Sequence, residues 1–331
     1  MRVPQRPAWQ ASLDALEVHL PILVAFSGGA DSTALLLACV QRWPGQVRAV
    51  HVHHGLQEAA DRFEAFCQDF CAQHDVPLKV SRVRARHAPG ESPEDAARRA
   101  RHAALDAAAR EFGVEGAPLP LVLAQHADDQ VETLLIALSR GAGLPGLSAM
   151  PSRAWRRGVL WLRPWLDVPG PLLRAWLRSQ GQDWVEDPSN QELRFTRNRL
   201  RRVVLPALEQ ALPAFRSTWA RSAAHAAQAQ AVLDEVAEAD LAVVGQPPRI
   251  AHLQALSPAR QALVIRRWLK TAHQTTPSQA QLEALLRQID ACRTRGHHID
   301  LKVGRGQLRR AGEVLVWQDP DAAAWGGAAN G

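Results

Sequence analysis

The segment Ile22-Leu-Val-Ala-Phe26, continued by Ser27-Gly-Gly-Ala-Asp-Ser32, decides the fold of this 331-residue chain. Its first five residues are all apolar, which is typical of a parallel strand buried on both faces. The two glycines that follow allow the backbone a positive φ and a close approach to a ligand. Successive N–H groups in such a turn, with a helix N-terminus behind them, attract anions. The segment therefore predicts a strand, a phosphate-binding loop and a helix, in that order.

The side chains of this loop also favour the binding of a phosphate. Ser27 and Ser32 add hydroxyl donors. Asp31 beside a phosphate would be repulsive on its own, which indicates a divalent cation such as Mg²⁺ between them. The chain contains no G-x-x-x-x-G-K-S/T sequence, so it is not an ordinary P-loop nucleoside triphosphatase. A glycine-rich turn without a ligand is the alternative interpretation.

Strands and helices alternate along the first 140 residues. The predicted strands cover residues 22–26, 47–52, 78–83 and 121–124, and the predicted helices cover 32–40, 58–74, 93–112 and 126–140. This alternation predicts an α/β fold with a parallel, Rossmann-like sheet flanked by helices. Ligands of such sheets bind at the carboxyl ends of the strands, where the loop at Ser27 falls.

The second half of the chain has a different pattern. Its predicted helices cover residues 207–212, 222–238 and 277–292, and a short β-like tail covers 296–317. We place a domain boundary at Leu212-Pro213. Residues 1–212 would form the catalytic domain, 213–317 a smaller, mainly helical C-terminal domain, and 318–331 a disordered tail.

Composition narrows the class of protein. No apolar run approaches the length of a membrane span or a signal peptide, so we expect a soluble, cytoplasmic protein with no membrane contact. The four cysteines form no C-x-x-C pair, and small buried thiols in a reducing compartment are expected. A net charge of +6, carried mostly by arginine, favours a polyanionic partner such as RNA. An arginine-rich composition without any nucleic acid ligand is the alternative.

A cluster of acids stands at the start of the predicted helix 126–140. Asp128, Asp129 and Glu132 lie on one side of its first turns, because residues three and four apart are neighbours on a helix. Held without cations, these carboxylates would repel one another. Either Mg²⁺ or a substrate ammonium would relieve the repulsion. The alternative is a set of acids that complement the helix dipole.

Two further groups of residues have two interpretations each. The histidines His51, His53 and His54 end the second predicted strand, where a position near a nucleotide is favoured over zinc binding because no cysteine is close. The second group is a dense basic stretch that either forms a solvated helix face or contacts RNA phosphates. Its members are Arg194, Arg197, Arg199, Arg201 and Arg202. The predicted β-like tail contains another basic cluster that is a candidate for contact with RNA. Its members are Arg305, Arg309 and Arg310.

The loop Ser27-Gly-Gly-Ala-Asp-Ser32 resembles the S-G-G-x-D-S signature of the PP-loop (N-type) ATP pyrophosphatases. That superfamily includes GMP, NAD and argininosuccinate synthetases, tRNA thiolation enzymes and tRNA(Ile)-lysidine synthetases. The resemblance implies that ATP is cleaved between its α and β phosphates to adenylate an oxygen of the substrate.

Four further segments resemble the tRNA(Ile)-lysidine synthetase family. They are His51–Leu56 (similar to H-V-x-H-G-L), Glu94–His102 (E-x-x-A-R-x-x-R-Y), Gln125–Thr133 (H-H-x-D-D-Q-A-E-T) and Asp187–Pro206 (D-x-S-N, then R-N-x-x-R-x-x-x-L-P). The chain departs from these patterns at Gln57, where arginine is usual, at His102, which replaces a tyrosine, and at Gln125, which replaces a histidine. Together the matches span about residues 23–206.

The resemblance implies a reaction and its partners. The C2 carbonyl oxygen of the wobble cytidine, position 34 of a tRNA(Ile) with a CAU anticodon, would attack the α phosphorus of ATP. Pyrophosphate would leave, and the ε-amine of free L-lysine would then displace AMP to form lysidine. The partners are thus ATP, Mg²⁺, L-lysine and tRNA(Ile), with no obligate protein partner. A homodimer is left open.

The resemblance also assigns residues to roles. ATP would bind at Ser27, Gly28, Gly29, Ala30, Asp31, Ser32, His53 and His126, with Mg²⁺ at Asp31 and Asp128. The catalytic residues would be Asp31, Arg98, Asp129 and Glu132, of which Asp129 and Glu132 would also hold lysine. The tRNA would contact Arg197, Arg199, Arg201 and Arg202, and the C-terminal domain.

Three alternative functions share part of this sequence pattern. A tRNA 2-thiolation enzyme would share the loop but usually needs a cysteine cluster, which this sequence does not have. A GMP synthetase would carry a glutaminase partner and a different specificity domain. A non-catalytic, ATP-dependent RNA-binding protein would have no need for the full set of acids.

Overall fold

The computed structural model describes residues 7–53, 58–83, 93–293 and 296–319. The chain divides into two compact units, residues 1–227 and 228–331. The division falls inside a long helix, whereas the predicted boundary at Leu212-Pro213 precedes that helix and stays a prediction. Gln318 is the last residue of a strand, so the predicted disordered tail can begin only after it; residues from 320 onward lie outside the described ranges.

The first unit is built on a six-stranded sheet within the described residues, in the order β3-β2-β1-β4-β6-β5. Its strands are β1 Ile22–Ala25, β2 Val47–His53, β3 Leu78–Arg82, β4 Leu121–Val122, β5 Arg153–Arg156 and β6 Val159–Leu162. Only β5, at one edge, is antiparallel to its neighbour. The chain winds from β1 out to β3 and then returns to β4 on the other side of β1. The crevice between the carboxyl ends of β1 and β4 is thus the topological switch point, where such sheets bind ligands.

Helices cover both faces of this sheet. Those of the first unit are α1 Ala8–Asp14, α2 Ala30–Arg42, α3 Glu58–Gln73, α4 Pro93–Glu111, α5 Ala127–Ser139, α6 Leu144–Leu147, α7 Gly170–Ser179, α8 Thr196–Arg199 and α9 Leu205–Ala211. A short 3-10 helix covers Pro188–Gln191 and a π-helical turn covers Leu200–Val204. Helix α10, Phe215–Val244, begins in the first unit and ends in the second. The predicted α/β fold is confirmed.

The continuous apolar run of β1 has the predicted cause. Ile22 and Val24 are fully buried in the core on one face of the sheet, which also contains the inner side of α2. Leu23 points to the opposite face and packs in a separate core with Val50 and Leu121. Because successive side chains alternate between faces, a strand covered on both sides needs an apolar residue at every position.

The sequence prediction did not locate β5, β6 or α7. These elements lie in a stretch rich in Gly, Pro and Trp, and β6 has only four residues, too short a run to distinguish from a buried turn. Arg157 and Gly158 connect β5 to β6 with positive φ angles of 46° and 79°, which suit a tight hairpin. Strand β6 pairs in parallel with β4 and extends the sheet beyond the switch point.

The second unit has its own core. Helices α11 Ile250–Gln254, α12 Pro258–His273 and α13 Gln279–Ala291 precede an antiparallel sheet of three strands in the described residues, β7 Asp300–Val303, β8 Gly306–Ala311 and β9 Val314–Gln318. Trp268, Leu285 and Leu308 are among its buried residues. The predicted C-terminal helix and β-like tail are confirmed. No helix in the described part of the chain is both long and apolar enough to cross a membrane.

Candidate active site

The loop that follows β1 lies at the switch point of the sheet. Gly28 has a φ of 84°, and the residue before it, Ser27, is exposed. The hydroxyls of Ser27 and Ser32 lie 2.9 Å apart, and the Ser32 hydroxyl donates to the Gly29 carbonyl at 3.0 Å. These bonds close the turn over five residues and leave it open to solvent on one side. The predicted phosphate-binding loop thus has the form of an anion-binding turn at the N-terminus of α2.

Gly28 is required by what lies behind it. A Cβ at this position would lie 3.2 Å from Cys67 Sγ and 3.3 Å from ring atoms of Phe63 and Phe66. These three residues belong to α3, which packs against the loop at Gly28. The cysteine is buried, and burial raises the pKa of its thiol well above the ordinary value. Cys67 is therefore a packing residue here, as expected for the cysteines of this chain.

His126, the N-cap residue of α5, joins the loop to the acids of that helix. Its Nε2 lies 3.3 Å from Asp31 Oδ2 and 3.7 Å from Asp129 Oδ2, and its Nδ1 lies 3.4 Å from Asp128 Oδ2. Burial alone would lower the pKa of His126, but the three carboxylates raise it to about 10. Burial alone would likewise raise the pKa of Asp31, yet His126 and Arg174 hold it below its ordinary value. An imidazolium therefore neutralises part of the acidic cluster.

Asp128 holds three elements together. Its Oδ1 accepts a hydrogen bond from Arg216 Nε at 2.6 Å, and its Oδ2 accepts one from the Gly170 amide at 2.9 Å. Burial opposes ionisation of this carboxyl, but His126, Arg216 and Gly170 hold its pKa well below the ordinary value. Both of its oxygens are thus engaged by the protein. Asp31, whose side chain is 31% exposed against 11% for Asp128, is the more accessible of the two carboxylates predicted to hold Mg²⁺.

Asp129 and Glu132 form ion pairs with two arginines. Asp129 Oδ2 caps α5 by accepting from the His126 amide at 3.0 Å, and its Oδ1 accepts from Arg201 Nη2 at 2.7 Å. Glu132 is fully buried and accepts from Arg201 Nε and from Arg197 Nη1. Burial raises the pKa of Glu132 above its ordinary value in spite of the two arginines. The carboxylates predicted to hold an amine therefore already bind guanidinium cations.

The remaining predicted residues lie in three places: at the end of β2, on α4, and in the segment that contains α8 and the π-helical turn. His53 is buried and lies 3.1 Å from Asp61 Oδ1, and its neighbour His54 lies outside the described residues. Arg98 is exposed on α4, in a basic cluster that keeps His102 neutral: burial, followed by Arg156, Arg101, Arg98 and Arg163, lowers the pKa of His102 to about 3. Arg199 and Arg202 are exposed; Arg199 donates to the Thr196 hydroxyl, and Arg202 donates to the Gln191 carbonyl. The role predicted for each of these residues stays a prediction.

The same geometry bears on the predicted Mg²⁺ site. Within the described ranges, no three or more His, Cys, Asp or Glu side chains are grouped to hold a metal ion. Mg²⁺ commonly uses one or two carboxylates together with substrate phosphates and water, so a preformed cage is not required. Asp31, beside the phosphate loop and partly exposed, fits that pattern.

Sequence reasoning missed three residues of the site: Gly170, Arg174 and Arg216. Gly170 and Arg174 are on α7, and Arg174 Nε lies 3.4 Å from Asp31 Oδ1. Arg216 is on the first turn of α10. No local pattern marks them, because each reaches the site from an element far away in sequence. The sequence indicates only that the carboxylates of α5 need cationic partners, because they would otherwise repel one another. It does not identify those partners.

A parallel sheet whose central strand ends in S-G-G-x-D-S, with acids facing that loop at the switch point, defines a PP-loop ATP-binding protein. The family described as "PP-loop domain" matches residues 8–208. A U34-tRNA thiolase from Methanococcus maripaludis has the same fold, with a TM-score of 0.55 over 65% of this chain and 75% of that one. At 15% sequence identity, this likeness speaks for the fold alone.

The curated relatives are more specific. The chain is 60% identical over 305 residues to the tRNA(Ile)-lysidine synthase (also written synthetase) of Polaromonas naphthalenivorans, covering 92% of each. It is 46% identical over 283 residues to that of Ralstonia nicotianae, covering 83% of this chain and 60% of the relative. The family described as "TilS substrate binding domain" matches residues 249–316. The chain belongs to the tRNA(Ile)-lysidine synthase family.

Proposed function

We propose that this protein uses ATP to activate the wobble cytidine of a tRNA(Ile) and joins free L-lysine to it, with release of pyrophosphate and AMP. One observation carries the proposal: Asp31 of the phosphate loop and Asp129 of α5 both contact His126, and Asp129 shares Arg201 with Glu132. An anion site and a cation site in one crevice suit a reaction that combines a nucleotide with an amine. Membership of the family favours this function over thiolation and over non-catalytic RNA binding.

The nucleotide half of the reaction falls to the loop. Its amides and the hydroxyls of Ser27 and Ser32 would hold the phosphates of ATP. Mg²⁺ held by Asp31 would offset the negative charge of the phosphates. Attack by the C2 oxygen of cytidine on the α phosphorus breaks the bond to the β phosphate, whose electron pair leaves with pyrophosphate.

The amine half falls to Asp129 and Glu132. Lysine's ε-ammonium would take over hydrogen bonds that Arg197 and Arg201 now donate. The amine must lose a proton before it attacks, since its reference pKa is about 10.4. Glu132 is the stronger candidate for the proton acceptor, because burial raises its pKa and so makes its carboxylate a better base. Asp129 is less suited, since its Oδ2 is committed to capping α5.

The tRNA would place its base in the same crevice. A cytosine can reach it only by leaving its stack, which an anticodon loop permits at modest cost. Arg199 and Arg202 are exposed and can meet phosphates, as can the second unit through residues 249–316. A cytoplasmic location, where free lysine and tRNA are both present, accords with this substrate set.

Incubation of the protein with tRNA(Ile), ATP and labelled L-lysine tests the proposal. We expect label in the RNA at a single cytidine, together with equal amounts of AMP and pyrophosphate. Omission of ATP and replacement of the wobble cytidine by uridine are the controls, and both should abolish labelling. Formation of AMP with no lysine in the RNA, under conditions where tRNA is bound, would contradict the proposed function.

A further inference from the structure

The first turn of α7 packs directly against the catalytic crevice. The Gly170 amide donates to Asp128, and a Cβ on Gly170 would lie 2.8 Å from His126 Cε1 and 3.1 Å from Asp128 Oδ2. No side chain larger than hydrogen fits there without displacing His126. Glycine at this position thus brings the helix backbone into contact with the residues that join the two halves of the site.

Arg174 stands one turn further along α7, on the same face as Gly170, since residues four apart are neighbours on a helix. Its Nε donates to Asp31 Oδ1 at 3.4 Å. The guanidinium carries five N–H donors, of which this contact uses one. Its Nη1 and Nη2 groups make no hydrogen bond or ion pair with any residue that the structure describes, and 46% of the side chain is exposed. The open end of the fork therefore lies beside the phosphate loop.

We propose that Arg174 binds the phosphate chain of ATP, and that Asp31 holds it in position before the nucleotide arrives. Resting on the proposed function only in taking ATP as the nucleotide, the inference adds a binding residue from outside the loop. The segment Ser27–Ser32 offers amide and hydroxyl donors but no cationic side chain. Arg174 supplies one, with a planar fork that matches two phosphate oxygens.

Charge balance supports this assignment. Asp31 and the phosphates would repel each other, and a cation that contacts Asp31 can turn its free N–H groups to the phosphate without losing that contact. The other described cation that contacts Asp31, His126, is shared with Asp128 and Asp129. A guanidinium beside the loop would also meet the charge that develops on the departing pyrophosphate.

The alternative is that Arg174 serves only to pin α7 to α2 through its ion pair with Asp31. The two roles differ in which ligands they affect. A phosphate-binding arginine should matter for ATP and pyrophosphate and much less for AMP. A purely structural arginine should affect all three ligands alike, through the shape of the loop.

Binding measured by calorimetry separates the two roles, with Arg174→Ala, Arg174→Gln and Arg174→Lys compared with the wild type. The ligands are pyrophosphate, AMP and an ATP analogue that cannot be cleaved between its α and β phosphates, without tRNA or lysine. We expect Arg174→Ala and Arg174→Gln to weaken binding of the analogue and of pyrophosphate on the order of 10- to 100-fold. AMP affinity should change less than about threefold, and Arg174→Lys should lie in between because it keeps the charge but loses the fork.

Arg178→Ala is the matched control, since Arg178 is exposed on the same helix and its guanidinium lies 5.2 Å from the Trp184 ring centroid, away from the loop. It should bind all three ligands as the wild type does. Thermal unfolding of each variant checks folding, and if Arg174→Ala fails to fold, the Gln and Lys variants decide. Unchanged affinity for pyrophosphate in the folded variants, or an equal loss for AMP, overturns the assignment. If the wild type does not join lysine to RNA, the proposed function is contradicted, but the assignment of Arg174 as a phosphate-binding residue is not.

Discussion

The two halves of the active site are built in different ways. In the phosphate loop, Ser27 finds its hydrogen-bond partner Ser32 five residues away, and the turn closes on itself. In the acidic half, Glu132 and Asp129 bind Arg197 and Arg201 across 65 and 72 residues, and Asp128 binds Arg216 across 88. One half is thus a property of a short segment, and the other a property of the folded unit. Backbone shape sustains the first and balanced charge sustains the second.

This difference gives each half its own sensitivity. Changes to backbone freedom should damage the loop, while changes to charge should damage the acids. Asp31 belongs to both, because it lies at the start of α2 and its carboxylate contacts His126 and Arg174. A variant that affects both halves of the site should therefore lose more activity than a variant that affects only one of them.

Asp31→Ala should have the largest effect. It removes the carboxylate that anchors His126 and Arg174 beside the phosphates, so tRNA-dependent AMP formation should fall on the order of 10³-fold. Radiolabelled ATP and thin-layer separation of AMP measure it. Asp167→Ala is the control, since Asp167 is an exposed acid that accepts a hydrogen bond from the Ser12 hydroxyl, and the variant should be as active as the wild type. Activity within tenfold of the wild type in Asp31→Ala would show that the halves do not meet there.

Glu132→Gln and Asp129→Asn should come next, and they probe the acidic half alone. Loss of a carboxylate removes a partner of the ammonium and leaves arginines uncompensated. The concentration of lysine needed for half-maximal rate should rise about 10- to 100-fold, with the requirement for ATP unchanged. We expect Glu132→Gln to cost about 1–3 kcal/mol of stability, less than a fully buried pair, because Arg197 and Arg201 are 37% and 39% exposed.

The control for these variants is Asp240→Asn in the second unit. Asp240 is buried and pairs with Arg260, so its loss should lower stability by a similar route without changing the dependence on lysine. Steady-state kinetics over a range of lysine concentrations, with urea unfolding on the same samples, gives both quantities. If both site variants keep the wild-type dependence on lysine, Asp129 and Glu132 have no part in holding it.

Gly28→Ala should have a smaller effect, confined to the loop. At a φ of 84°, an L side chain costs about 1–2 kcal/mol, and the new Cβ would press on Cys67 and two phenylalanines. ATP affinity should drop about tenfold, while the dependence on lysine stays unchanged. Gly158→Ala is the matched control: its φ is 79° with open space around it, so it carries the same strain away from the site. Equal ATP affinity in both variants would mean that the loop does not depend on its glycine.

The same difference explains what could be read from the sequence. The phosphate loop was predictable because its strand, turn and helix are contiguous, and the acids at Asp128, Asp129 and Glu132 were predictable from helical spacing. Their cations were not predictable in the same way: Arg197 and Arg201 are predicted to contact tRNA, and the structure shows both paired with the acids, so the tRNA contact stays a prediction. Arg174, Arg216 and Gly170 carry no local pattern, and the elements β5, β6 and α7 lie where glycine, proline and tryptophan obscure periodicity. Long-range charge pairing becomes visible only once the sheet order is known.

The smallest effect on rate is expected from pH, through His126, which couples the two halves. Its carboxylate neighbours raise its pKa to about 10, above the value of about 6.5 for an unfolded histidine. The folded state therefore holds the extra proton between those values. The stabilisation from the charged ring is complete below pH about 6.5 and is lost as pH rises toward 10. Activity should show no step from His126 between pH 7 and 8.5.

NMR of the imidazole resonances, assigned with His126→Gln, measures the pKa directly, and the stability difference between wild type and variant should shrink from pH 6 to pH 9. A His126 that titrates near 6.5 would mean that the acids are neutralised by their arginines alone, and that the two halves of the site are electrostatically independent.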